Sequence, residues 1–226
     1  MAWLFSAYFF LLCLIGLLIL AVLAWLLLPL GDLARPLYYA IFRQMMKLLL
    51  ACTFIRVEVV GAPQGKMRGG SLWVAEHPGL LEPLYLVAAR PERLRLVADS
   101  NILRVPLLGR VLKSAGCLIY ELGGTDVAFL LSLREALQRG EQVLVFPPAL
   151  RRLVSKPAEL DDALVRTARL CGAAIIPLLI EQPPVTSEYL INPGRVRLKI
   201  GSPWRPAGPA EKSTLANLFR VLEEGK

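Results

Sequence analysis

Histidine is nearly missing from this chain: there is one in 226 residues. Imidazole is the side chain whose unperturbed pKa lets it take and return a proton near neutral pH. Any imidazole general base must therefore be His77. Cysteine is scarce as well. Cys13, Cys52, Cys117 and Cys171 are scattered without metal-ligand spacing, and beside a single histidine they argue against a zinc site. They read as small apolar side chains in a reducing compartment. Internal repeats and low-complexity tracts are absent. Charge is missing from Trp3 to Leu30.

That uncharged run rises roughly 40 Å as a helix, against a hydrocarbon core of about 30 Å. It predicts a membrane anchor over residues 1–32, either a transmembrane helix or a bent hairpin. A cleaved signal peptide fits poorly, because no Lys or Arg precedes the run and the run is too long for one. Arg35, Arg43, Lys47, Arg56, Lys66 and Arg68 all follow it. The excess of basic residues on that side places the body of the protein in the cytoplasm, on a bacterial-type inner membrane. The net charge of +8 fits an anionic bilayer surface; no recognition module for nucleic acid is present. Residues 33–54 read as an amphipathic interfacial segment, with Arg43 and Lys47 one turn apart among Leu, Ile, Met and Tyr. The alternative is an ordinary surface helix of the domain.

Residues 55–226 fit one α/β domain. Strands are expected at 55–60, 71–75, 94–98, 117–122, 142–146, 173–180 and 196–200. Helices are expected at 81–89, 106–115, 126–139, 161–170 and 211–224. The alternation implies a mixed, largely parallel sheet flanked by helices. Ligand sites in such sheets lie at the carboxyl ends of strands. Three chemically suggestive segments fall there: His77, Glu121, and 147–152.

His77 sits in Glu76-His77-Pro78-Gly79-Leu80-Leu81-Glu82. Pro is tolerated at the first helical position, so His77 stands at a strand-to-helix turn and Glu82 in the helix that follows. A carboxylate placed there can accept from one ring nitrogen, fix the tautomer and leave the other nitrogen as base. The plainer alternative is a structural histidine at a helix start with a surface glutamate.

The order of segments resembles the glycerolipid acyltransferases of the 1-acylglycerol-3-phosphate acyltransferase type. The His with an acid five residues on matches His77 and Glu82. A Pro and Gly before a helix match Val105-Pro106-Leu107-Leu108-Gly109. A Gly, an apolar strand and an acid match Gly116-Cys117-Leu118-Ile119-Tyr120-Glu121. An apolar strand running into Phe-Pro and a later Arg matches Val145-Phe146-Pro147-Pro148-Ala149-Leu150-Arg151. An apolar pair before Pro matches Ile175-Ile176-Pro177-Leu178. The resemblance runs from about Ile55 to Trp204.

It implies a membrane enzyme that moves an acyl chain from acyl-CoA or acyl carrier protein to a lipid hydroxyl. No cofactor and no metal are implied. His77 is the implied base and Glu82 its orienting acid. Gly116, Tyr120, Glu121, Phe146, Pro147, Arg151 and Arg152 are the implied substrate-binding residues. Membrane lipids and the acyl donor are the implied partners; the oligomeric state is left open. Departures from the family pattern accompany the matches. Leu122 stands where the family carries an Arg, Pro148-Ala149 where it carries Glu-Gly, and Asp99 where a Lys is common. The dyad is kept while much of the acceptor-phosphate clamp is gone. Two readings follow: an acyltransferase whose acceptor is not lysophosphatidic acid, or an inactive relative kept as a lipid- or partner-binding module.

Overall fold

The computed structural model describes residues 2–61, 69–75, 82–90, 93–120, 126–147, 157–181, 194–206 and 214–223. The chain opens with α1 (Ala2–Leu26), a kinked 3-10 segment (Leu28–Ala34) and α2 (Arg35–Cys52). Then come β1 (Ile55–Val60), β2 (Ser71–Ala75), α3 (Glu82–Ala89), β3 (Leu94–Asp99), a 3-10 turn (Ser100–Arg104), α4 (Leu108–Ala115) and β4 (Leu118–Tyr120). The last third holds α5 (Asp126–Gln138), β5 (Gln142–Val145), α6 (Pro157–Leu170), β6 (Ala174–Glu181), β7 (Gly194–Ile200) and α7 (Thr214–Glu223).

Among the described residues the strands form one seven-stranded sheet in the order β1-β7-β6-β2-β5-β3-β4. Every neighbouring pair is parallel except β6 with β7. The expected mixed, largely parallel sheet is what the chain builds. β2 lies at its centre and all five of its residues are buried, as a strand covered on both faces requires. One antiparallel junction has a further effect: β1 and β7 run against the rest. Their starting ends, Ile55 and Gly194, therefore point toward the same edge as the finishing ends of β2, β5 and β6.

Two apolar cores flank the sheet. One joins α1, α2, α3 and α4 to the sheet through residues such as Phe9, Leu20, Tyr38, Phe42, Leu86 and Trp73. The other lies under α5, α6 and α7 and includes Leu133, Leu137, Leu164 and Phe219.

α1 does not stand apart from this body. The Tyr38 hydroxyl donates to the Leu20 carbonyl at 3.1 Å, and the Tyr8 hydroxyl donates to the Cys52 carbonyl at 3.3 Å. Residues near both ends of α1 thus touch opposite ends of α2, and the two helices lie antiparallel. α2 turns Tyr38, Tyr39, Phe42, Met46, Leu49 and Leu50 inward. The apolar stripe read from sequence as facing a headgroup layer is thus largely taken up by the protein. Leu37 and Leu48 remain on its outer side, with Phe54 just beyond its end. The outer flank of α1 stays apolar and exposed, through Leu11, Leu14, Ile15, Leu18 and Val22 among others.

Candidate active site

The sheet register brings the ends of four strands to one level. Val74 of β2 pairs with Val145 of β5, Leu96 of β3 pairs with Leu144, and Val97 pairs with Leu118 of β4. Val74, Val145, Val97 and Leu118 thus form a row across the sheet. Two residues further on, the chain leaves β2 toward His77, reaches Pro147 after β5, Asp99 at the end of β3, and Tyr120 at the end of β4. The convergence expected at the carboxyl edge is real at the level of these strand ends. His77 itself, Glu121, Arg151 and Arg152 lie outside the described residues, as do Leu122, Pro148 and Ala149.

Glu82 is described, and it is buried at 2% exposure as the first residue of α3. A carboxylate at a helix start is favoured by the unpaired backbone N–H groups and the helix dipole there. Tyr85, one turn along α3, feels it: burial first, then the Glu82 carboxylate and Cys13, push the Tyr85 phenol up to about 12.

Phe146 is half-buried and packs against the core that holds α1 and α3, and Pro147 is buried beside it. Both follow β5, the direct neighbour of β2, so they border the exit of the His77 segment. Asp99 also stands in this row. Its carboxylate accepts from the Asn101 N–H at 2.7 Å and caps the 3-10 turn. The Asp-Ser-Asn run is the sequence signal for that cap.

Two of the expected substrate-binding residues have other work. Gly116 precedes β4 and lies at the opposite end of that strand from Tyr120. It is the left-handed C-cap of α4, at φ 81°, and its carbonyl accepts from the Arg95 side chain at 2.7 Å. A left-handed cap favours glycine because it has no Cβ. Tyr120 is buried and meets Phe129 edge-to-face at 5.5 Å. Three strand spacings, on the order of 14 Å, also separate it from β2. Both motif residues thus have structural work in the scaffold.

Among the described residues no group of three or more His, Cys, Asp or Glu side chains is placed to hold a metal ion.

The family model described as Acyltransferase matches residues 36–181. No curated protein matches the chain. Among solved structures, the chain is similar to the 1-acyl-sn-glycerophosphate (LPA) acyltransferase PlsC from Thermotoga maritima, at 18% identity and a TM-score of 0.71. The match covers 98% of this chain and 93% of that one. The family match spans more than half of the sequence and runs through β2, the buried Glu82 and the row of strand ends, and the chain belongs to the acyltransferase family.

Proposed function

We propose that this protein is a membrane-seated enzyme that moves a fatty acyl chain from acyl-CoA or acyl carrier protein to a lyso-lipid or related hydroxyl or amine acceptor. The observation that carries this reading is the buried Glu82 carboxylate opening α3 directly after the segment that bears the chain's one histidine. A carboxylate withdrawn from water at that place has a use if it orients a base.

In this reading His77 takes the proton from the acceptor hydroxyl or amine. The freed nucleophile attacks the thioester carbonyl, the C–S bond breaks, and the imidazolium returns its proton to the departing thiolate. Glu82 holds the ring and stabilises its charged form. Proton transfer of this kind contributes about 10²–10⁴ in rate. No acyl-enzyme is needed, since no Ser or Cys adjoins His77 in the sequence.

α1 supports the membrane seat. Residues Trp3–Leu26 are long and apolar enough to cross a bilayer. The same helix is tied to α2 near both ends, and α2 carries Arg35, Arg43 and Lys47. A perpendicular crossing would drag these cations into hydrocarbon, at about 2.5–3.5 kcal/mol each near the centre. A seat in one leaflet, with the exposed flank of α1 in the acyl region, avoids that.

The decisive test is His77→Ala in the full chain, assayed for acyl transfer in lipid. Activity should vanish while circular dichroism and the thermal midpoint stay unchanged. Near-normal turnover would sink the enzyme reading and favour the lipid-binding one. The substituted clamp positions Leu122 and Pro148-Ala149 add a second expectation: lysophosphatidic acid is a poor acceptor beside other lyso-lipids. Efficient turnover of it would show that the clamp is not needed.

A further inference from the structure

A groove of about 770 Å³ lies between the end of α2, the end of α3 and the starts of β1 and β7. Lys47, Arg56 and Arg195 line it together with Leu50, Phe54 and Ala88. Among the described residues none that lines the groove is acidic, and Lys47, Arg56 and Arg195 make no ion pair with another described residue.

The two arginines are also direct partners in register, Arg56 of β1 beside Arg195 of β7. Like charges placed opposite each other on neighbouring strands repel. The next pair on the same face shows how the fold settles such charge elsewhere. Glu58 stands beside Arg197 at 3.6 Å, and Glu181 serves both Arg197 and Lys199. Among the described residues no carboxylate pairs with Arg56 or Arg195. A repulsive, uncompensated pair at the wall of a groove is the arrangement an anion would complete.

Phe54 points to where that anion comes from. It is a non-glycine residue at φ 55° and is 73% exposed. A bulky side chain in the left-handed region is strained, and here the strain holds an aromatic ring out into solvent. On α2 the groove residues Lys47, Leu50 and Ala51 run beside a second stripe, Met45, Leu48, Leu49 and Cys52. That second stripe lines an apolar cleft shared with Leu12, Ile15 and Ile19 of α1. The cationic groove and the apolar flank of α1 are therefore neighbours on one helix, as a headgroup and its acyl chains are neighbours in a lipid. Basic clusters beside a membrane-embedded element attract anionic lipid.

We propose that Lys47, Arg56 and Arg195 form a binding site for the phosphate of an anionic membrane phospholipid, with Phe54 at the acyl boundary. β1 and β7 begin toward the sheet edge at which β2 ends, so a lipid held there orients that edge toward the bilayer. The inference rests on the membrane seat proposed above, but not on catalysis.

The test uses the purified full chain in detergent and short-chain phospholipids with phosphatidylglycerol or phosphatidylcholine headgroups. Inorganic phosphate and CoA serve as further probes. Binding is read by native mass spectrometry and by thermal shift. Saturable binding of the phosphatidylglycerol lipid, weakened about tenfold or more in Arg56→Gln/Arg195→Gln, is expected, with the phosphatidylcholine lipid binding weakly to both proteins. Equal binding of both lipids, or unchanged binding in the variant, overturns the proposal. Phosphate or CoA binding as tightly as the anionic lipid overturns its lipid source. Without lipid the variant should unfold at the same or a higher temperature, because a repulsive pair has gone; a clear drop would mean the arginines are structural and overturns the site. Flotation of the chain with neutral vesicles separately reports the seat of α1, so failure of the seat and failure of the site are distinguishable.

Discussion

At the scale of single residues, Glu82 and the buried phenols and thiols carry the measurable consequences. Glu82→Gln keeps the shape of the side chain and removes its charge. If Glu82 orients the base, acyl transfer should fall by about 10²-fold or more, with the thermal midpoint nearly unchanged and substrate binding intact. A steady-state comparison of kcat and KM would show it, and a pure rise in KM would assign Glu82 to binding instead. Burial pushes the Cys117 thiol up to about 12, and Tyr85 stands at the same value. Both groups ionise earlier in the unfolded chain, near 8.5 and 10. The stability they contribute is therefore complete below pH 8.5 and is lost as pH rises toward 12. Denaturant titrations over that range should show falling stability, with Tyr85→Phe losing the part above pH 10.

That an acid stands five positions after His77 is legible as spacing, and the burial of that acid is not, because the spacing does not say which way a helix start faces. Gly116 shows the reverse case. Its φ of 81° makes it the cap of α4, a role that its place in a motif does not reveal.

At the scale of elements, most strands and helices sit close to where periodicity puts them. β1 and β2 occupy Ile55–Val60 and Ser71–Ala75, as expected. The misses have local causes. α6 starts at Pro157 rather than Asp161, since Pro fits the first helical turn. α4 starts at Leu108, after Leu107 at φ 65°, so Pro106-Leu107 is a turn instead of the first helical residues. The 3-10 turn after β3 is too short for periodicity to reveal, although Asp99 caps it.

Gly109 tests how tightly these elements join. A Cβ built there would stand 2.2 Å from the Leu103 carbonyl oxygen, a backbone atom of the preceding turn. Gly109→Ala should therefore destabilise the protein by about 1–3 kcal/mol through enforced backbone shifts, read as a lower denaturation midpoint. An unchanged midpoint would mean that the turn yields freely.

At the scale of the whole molecule, α1 serves two surfaces at once. Its inner side, with Phe9, Leu20, Ala21 and Ala24, is part of a folded core, and its outer side is bare hydrocarbon. The two sides should separate experimentally. Leu20→Ala removes fully buried volume and should cost about 2–5 kcal/mol while membrane flotation persists. Replacing Leu11, Leu14 and Leu18 with Gln leaves the core alone and should release the protein from vesicles with little change in stability. The opposite pattern would show that the outer flank is covered by protein instead of lipid.

The sequence by itself determined that an uncharged helix begins the chain, that strands and helices then alternate, and that imidazole chemistry has one candidate. Each is a property of residue order, periodicity or count, and none depends on distant contacts. Only the tertiary structure decided that α1 lies along α2, that Glu82 is withdrawn from water, and that Arg56 stands beside Arg195. Those facts arise where residues far apart in the chain meet. The register of a sheet and the packing of a helix pair are set by the summed burial of many side chains, which no local pattern encodes.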